Sequence, residues 1–283
     1  MKHFTSVNDV PDLKKAVKIA LDIKKNRFAS QHLGKNKTMV LIFFNSSLRT
    51  RLSTQKAAMN LGMNTMVMNV SEDGWQLESE LGVVMDGNKP EHLLEAIPVI
   101  GQYCDVIGVR AFARFQNRED DYSEKILNQF VRYAGVPVVS MEGATRHPLQ
   151  SFADLLTIEE FKKSERPKVV LSWAPHPKAL PQAVANSFVE WMHETDYKLV
   201  VTHPEGYELA PEFMADVEVE YNQKKAFEGA DFIYTKNWAS YTYYGQVLSK
   251  DFGWTVNEEK MALTNNAKFM HCLPVRRNVV VSD

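Results

Sequence analysis

The sequence predicts an α/β protein made of two doubly wound parallel-sheet domains, and three observations lead there. Apolar, β-rich runs alternate with helical patterns along the chain. A length of 283 residues with 45% hydrophobic content allows a sizeable core and suits two domains better than one. No repeat at a fixed period and no low-complexity tract interrupts the alternation.

The elements follow in order. Thr38–Phe44 reads as a buried strand, Asn45 and Ser46 as a turn, and Ser47 as the N-cap of a helix over Leu48–Leu61. Further strands are expected near Asn64–Val70, Asp105–Val109, Pro137–Ser140, Lys168–Trp173, Lys198–Thr202, Asp231–Thr235 and Lys268–Leu273. Helical patterns cover Pro90–Tyr103, Ser123–Ala134, Gln182–His193 and Tyr221–Gly229. A boundary near Leu149–Lys162 divides the chain into halves over 1–150 and 151–283. In parallel sheets ligands sit beyond the carboxyl ends of the strands, so a site is expected there and in the cleft between the halves.

Composition excludes several classes of function. The formal charge of -2 gives no global attraction to nucleic acid or anionic membrane. Cys104 and Cys272 supply neither a disulfide framework nor a metal-ligand cluster, as suits a reducing, cytoplasmic setting. No apolar run approaches a membrane span, and no long apolar leader opens the chain. The glycines of a Walker A loop or a dinucleotide fingerprint are missing, which disfavours a nucleotide cofactor.

Positive potential must then be local. In Ser47-Leu48-Arg49-Thr50-Arg51, two arginines and two hydroxyls sit at a helix start, where free N–H groups and the helix dipole favour a phosphate dianion. Arginine suits the task because its planar fork donates paired hydrogen bonds and stays charged. The plain alternative is a solvated helix start. His147-Pro148-Leu149-Gln150, with Ala153-Asp154 downstream, follows the strand at Pro137–Ser140. His271-Cys272-Leu273-Pro274 follows the last strand run.

Together these segments resemble the carbamoyltransferases, the family of aspartate and ornithine transcarbamylases. Ser47 to Arg51 matches the family's Ser-x-Arg-Thr-Arg signature, His147 to Gln150 its His-Pro-x-Gln motif, and His271 to Pro274 the His-Cys-Leu-Pro segment of ornithine-type members. The resemblance implies a carbamoyl phosphate site made by Ser47, Leu48, Arg49, Thr50, Arg51, Trp75, Arg110, His147, Gln150, Cys272 and Leu273. Arg110, Thr50 and His147 would stabilise charge on the carbonyl oxygen, with Cys272 lying against the carbamoyl group, and no cofactor or metal is implied. A silent homologue that binds carbamoyl phosphate in a regulatory role is the non-enzyme alternative.

The acceptor is read elsewhere. Ornithine-type enzymes carry an aspartate that pairs with the α-ammonium, but here Lys236 occupies that position, with Trp238 and Ser240 in register and Tyr241-Thr242 replacing Met-Gly. A lysine at about 4 Å from an ammonium costs about 4 kcal/mol at an effective dielectric near 20. An acylated α-amine removes the conflict, so the chain resembles the N-acylornithine branch. That resemblance implies acceptor contacts from Glu142, His176, Lys236 and Arg276, and from Pro90, where acetyl enzymes carry a glutamate that would repel a succinyl carboxylate. Pro90 therefore favours succinyl over acetyl, although Asn88-Lys89-Pro90-Glu91 also reads as a helix start with proline at N1. The resemblance further implies a homotrimer in which Trp75 reaches a neighbouring site, and a knotted loop around Trp173–Pro181. The family pattern continues into a C-terminal helix carrying another arginine, whereas this sequence stops at Asp283.

Overall fold

The computed structural model describes residues 2–70 and 75–283. The chain divides into two compact units, Met1–Leu149 and Gln150–Asp283.

The first unit runs α1 (Leu13–Lys25), β1 (Thr38–Phe43), α2 (Leu48–Asn60), β2 (Asn64–Asn69), β3 (Leu77–Glu78), β4 (Glu91–His92), α3 (Leu93–Gly101), β5 (Val106–Arg110), α4 (Arg118–Tyr122), α5 (Lys125–Tyr133) and β6 (Val138–Glu142). Its main sheet has the order β2-β1-β5-β6, with parallel pairing throughout. Side chains alternate across it as the strand period requires. Val40, Ile42, Ile107, Val109 and Val138 pack with Leu93, Ala96 and Ile97 of α3 and Leu127 and Phe130 of α5. Met39, Leu41 and Phe43 face the other way, toward Ala58 of α2 and Met141. Both faces are covered, as the near-continuous apolar strands demand.

The second unit runs α6 (Pro148–Phe161, beginning in the last residues of the first unit), β7 (Lys168–Trp173), α7 (Ala183–His193), β8 (Lys198–Thr202), β9 (Glu218–Val219), α8 (Gln223–Phe227), β10 (Phe232–Lys236), α9 (Glu258–Met261) and β11 (Lys268–Met270). The order β11-β10-β7-β8-β9 is again parallel throughout. Val170, Val200 and Ile233 pack with Ala226 and Phe227 of α8. On α7, Phe188 stacks on Tyr234 with ring centroids 4.3 Å apart. Near the carboxyl ends, Trp173 Nε1 donates to the Trp238 carbonyl at 3.0 Å and Trp238 Nε1 to the Tyr207 carbonyl at 2.7 Å. All three rings are buried, so their polar groups need these partners.

The predicted strands occur with small shifts, and the differences have physical causes. The helix expected from Pro90 begins at Leu93, capped by His92 Nδ1, which accepts from Leu94 N–H at 3.0 Å. Glu91 and His92 instead pair in parallel with Leu77 and Glu78. Pro90 therefore lies before a strand, where its missing N–H is not needed, and not at N1 of a helix. The expected boundary near Leu149–Lys162 is mostly helix, α6, because Leu155, Ile158 and Asp154 are buried on one face of a segment rich in helix formers. The last strand ends at Met270, and His271 to Pro274 leave it with a cis Leu273–Pro274 bond.

Close approach of α3 and α5 depends on Gly101. A Cβ there would lie 2.1 Å from the Ala134 carbonyl oxygen. Gly101→Ala should therefore destabilise the protein by about 1–3 kcal/mol, read as a lower urea midpoint at unchanged m-value. An unchanged midpoint would show that the helices part freely.

Candidate active site

Each sheet has one place where its growth reverses, and ligands collect at such points. In the first sheet this is the pair β1 and β5, whose carboxyl ends deliver Ser47 and Arg110. Ser47 caps α2, its hydroxyl accepting from Thr50 N–H at 3.3 Å. Arg51 on the next position is held by Asn69 Oδ1 at the end of β2, with its guanidinium over the Phe43 ring at 5.4 Å. Arg110 Nη1 donates to Thr50 Oγ1 at 3.2 Å and to Glu142 Oε2 at 2.6 Å, and its guanidinium lies over Phe112 at 4.2 Å. Arg110 is only 7% exposed, and its Nε–H meets no acceptor among the described residues. A buried donor of this kind is costly unless a ligand supplies the acceptor.

His147 Nε2 lies 3.4 Å from the same Glu142 oxygen, so Glu142 gathers Arg110 and His147 around one carboxylate. The loop carrying His147 is pinned by a residue the sequence gave no reason to choose. The Glu124 carboxylate accepts from Ala144 N–H at 3.0 Å and from Thr145 N–H and Oγ1 at 2.7 Å each. Burial pushes the Glu124 carboxyl up, while these donors hold it down. A Cβ at Gly143 would lie 2.6 Å from both Glu124 oxygens, so only glycine lets the carboxylate into the loop. Arg49 and Leu48 are exposed on the same helix turn.

Trp75 lies just before β3 and Pro90 just before β4. Trp75 is half exposed and donates from Nε1 to Glu91 Oε2 at 2.7 Å, which ties it to the residue after Pro90. Of the polar loop before Trp75, Ser71 to Gly74 lie outside the described residues.

In the second sheet the reversal lies between β7 and β10. The loops leaving these strands are stitched together: Ala174 N–H donates to the Lys236 carbonyl at 3.1 Å, Asn237 Nδ2 to the Ala174 carbonyl at 2.6 Å, and Ala239 N–H to the Leu180 carbonyl at 2.9 Å. Lys236 at the end of β10 and His176 after β7 thereby share one neighbourhood with His271. Arg276 Nε donates to His176 Nε2 at 2.9 Å, so that ring nitrogen is unprotonated. Burial first, then the charges of Arg276, Lys236 and Lys178, lower the His176 pKa. Burial and the Lys236 charge push His271 down to about 4. Both rings are neutral at pH 7, leaving Lys236 and Arg276 as the cations of a site suited to carboxylates.

Gln150 stands in the first turn of α6, its Nε2 donating to Asp154 Oδ1 at 2.9 Å. Cys272 is a half-buried thiol outside any disulfide, and Leu273 is exposed. The structure thus brings the expected residues together as two groups. Ser47, Thr50, Arg51, Arg110, Glu142 and His147 form one, in the first unit. Gln150, His176, Lys236, Cys272 and Arg276 lie in the second. Asn69, Phe112, Glu124 and Tyr234 were missed by sequence reasoning, and only Asn69, a polar residue at a strand's carboxyl end, carried a signal.

The His271 shift has a consequence for stability. The unfolded chain takes up this proton near pH 6.5, whereas the folded chain does so only near 4. Stability from this group is complete above about pH 6.5 and falls as pH drops toward 4, by up to about 1.4 kcal/mol per pH unit. His271→Gln should flatten the urea midpoint between those pH values; an identical slope in both proteins would refute the assignment.

Comparison with known proteins adds to this geometry. Residues 2–160 match the family model described as aspartate/ornithine carbamoyltransferase, carbamoyl-P binding domain, and residues 181–283 match its Asp/Orn binding domain. The chain is 68% identical to the N-succinylornithine carbamoyltransferase of Bacteroides thetaiotaomicron, across all of this chain and 90% of that relative. It is 36% identical to the N-acetylornithine carbamoyltransferase of Xanthomonas axonopodis pv. citri, across all of this chain and 88% of that relative. A crystal structure of a variant N-acetyl-L-ornithine transcarbamylase, complexed with carbamyl phosphate and N-succinyl-L-norvaline, superposes with a TM-score of 0.94 at 36% identity, over all of this chain and 91% of that one.

Proposed function

Because the chain belongs to the aspartate/ornithine carbamoyltransferase family, we propose that it transfers the carbamoyl group of carbamoyl phosphate to the side-chain amine of N-succinyl-L-ornithine, giving N-succinyl-L-citrulline and phosphate. The observation that carries the acceptor is Lys236, a cation at the carboxyl end of β10 beside neutral His176 and His271. It opposes a free α-ammonium and suits an acylated amine flanked by carboxylates. The 68% identical relative bears the succinyl name, and Pro90 leaves no carboxylate to repel a succinyl group. The acetyl acceptor is the second reading, resting on the 36% identical relatives.

The neutral amine attacks the carbonyl carbon, negative charge gathers on the carbonyl oxygen, and the C–O bond to phosphate breaks as the tetrahedral intermediate collapses. The amine proton passes to the departing phosphate, so no covalent enzyme intermediate is needed. Ser47, Arg49 and Arg51 hold the phosphate at the start of α2, and Thr50, bonded to Arg110, serves the carbonyl oxygen. Arg110, whose Nε–H lacks an acceptor, and His147 serve the carbonyl oxygen, with Glu142 fixing both. Gln150, Cys272 and Leu273 contact the carbamoyl group, and Arg276 and His176 receive acceptor carboxylates. Alignment of two substrates supplies much of the rate. The place of such an enzyme is arginine biosynthesis in the cytoplasm; among the described residues, no helix is long and apolar enough to cross a membrane.

A homotrimer belongs to this reading. Leu48, Leu52, Met59 and Met66, on α2 and the edge strand β2, are each more than half exposed, which supports a covered face there. Trp75, half exposed, would reach a neighbouring site. The knotted passage of the Trp173–Pro181 segment rests on the family resemblance, and the loops after β7 and β10 hold that segment by hydrogen bonds at Ala174 and Leu180.

Colorimetric detection of the ureido product, with N-succinyl-, N-acetyl- and unmodified ornithine side by side, tests the reading. The succinyl acceptor should be preferred, and turnover of free ornithine would overturn the Lys236 argument. Arg110→Lys should lower kcat by about 10²–10³, the loss typical of one oxyanion donor. Lys236→Ala should raise the acceptor KM at least tenfold while sparing the carbamoyl phosphate KM. Unchanged constants would return Lys236 to solvent.

A further inference from the structure

Beneath Cys272 lies a carboxyl and a phenol to which the reaction above gives no task. Asp154 is 6% exposed and Tyr234 is fully buried. Asp154 stands one helical turn after Gln150, with Oδ1 accepting from the Gln150 amide at 2.9 Å. Asp154 and Cys272 are the side chains that act on the buried Tyr234 hydroxyl, and neither that hydroxyl nor Asp154 Oδ2 has a hydrogen-bond partner among the described residues. Tyr234 pairs in register with Met270, so Cys272 follows its strand partner by two positions. The stacked Phe188 ring fixes the phenol in place. Phenylalanine would fill the same volume without burying a hydroxyl, which is costly unless it is used.

We propose that Asp154 and Tyr234 are positioning residues that act as one proton-directing pair, setting the Cys272 thiol and the Gln150 amide together. This rests on the reading of Cys272 and Gln150 as carbamoyl contacts. The phenol has one proton and two neighbours. With Asp154 ionised, the phenol donates to the carboxylate and its oxygen accepts from the thiol, which is held as S–H. With Asp154 neutral, the carboxyl proton goes to the phenol oxygen and the phenol proton turns to sulfur, favouring thiolate. Burial pushes Asp154 up to about 7, against the Gln150 bond and the nearby Tyr234 hydroxyl, so both arrangements are open near neutrality. Burial, Asp154 and Cys272 raise Tyr234 well above its ordinary range, so it keeps its proton. The groups facing the pair are Gln150 from α6 and Cys272 after β11; His271, beside Cys272, faces Lys236 and His176 and is neutral above about 4.

The test is the pH dependence of iodoacetamide alkylation at Cys272 in a Cys104→Ser background, where it is the remaining thiol. Asp154→Asn mimics the neutral carboxyl and should lower the thiol midpoint by about one unit. Tyr234→Phe removes the carrier, so adding Asp154→Asn to it should produce no further shift. Tyr234→Phe should also lower kcat about tenfold with the acceptor KM changed less than twofold. The same midpoint in all proteins overturns the proposal, as does a full Asp154→Asn shift that persists without the phenol. Should Asp154→Asn fail to fold, Tyr234→Phe decides alone: its ring keeps the stack, and an unmoved midpoint together with an unmoved kcat refutes the pair. If no acylornithine is carbamoylated by the unaltered protein, the functional reading fails, while the alkylation midpoints still judge the pair.

Discussion

Parallel pairing is the constraint on which the rest of the molecule depends. A parallel strand must be reached by a crossover that returns the chain to the same end of the sheet, so every carboxyl end emerges on one edge. Where growth switches sides, between β1 and β5 and again between β7 and β10, no crossover fills the gap between the strand ends. Ser47 and Arg110 leave one gap, and His176 and Lys236 leave the other. The same backbone rule, applied twice, makes one anion-friendly helix start and one cationic loop cluster.

Electrostatics then sharpens what topology places. Arg110 and Glu142 are both nearly buried, and leaving either one there without the other would be costly. Their contact at 2.6 Å offsets the desolvation while leaving the Nε–H of Arg110 without an acceptor. In the second unit, burial and neighbouring cations lower the pKa values of His176 and His271, so the positive charge there comes from lysine and arginine and not from imidazole. One unit thus holds a balanced pair with a donor in reserve, and the other a net positive surface.

The sequence made the strands and the donor motif legible because both are local. Thr38–Phe43 is apolar without interruption, and Ser47 is a good cap, so strand, turn and helix start could be read within a few positions of each other. Lys236 was legible through its register with Trp238, which is itself buried and hydrogen-bonded. What escaped reading depends on distant partners. Glu124 matters through a loop 20 and 21 positions away, and nothing in its own neighbourhood marks a left-handed residue with φ of 49°. Pro90 looked like a helix start because the strand that captures Glu91 and His92 comes from Leu77 and Glu78. The helix α6 was not read because its segment was taken as the connection between the halves, whereas it opens in the last residues of the first unit and runs on into the second.

The strand order also fixes a sequence of events during folding. β1 can find β2 across one helical crossover, but its pairing with β5 closes a loop of about the 67 positions that separate Thr38 from Asp105. β7 and β10 join across a comparable 63 positions, Lys168 to Asp231. Loop closure taxes distant pairings before they return any free energy, so local strand pairs form early and these two central pairings late. They are also the pairings that flank the gaps where Arg110 and Lys236 emerge. Partly folded chains therefore contain strands and helices but neither binding surface, and capacity to retain a phosphate ligand marks the last stage of maturation and not the first.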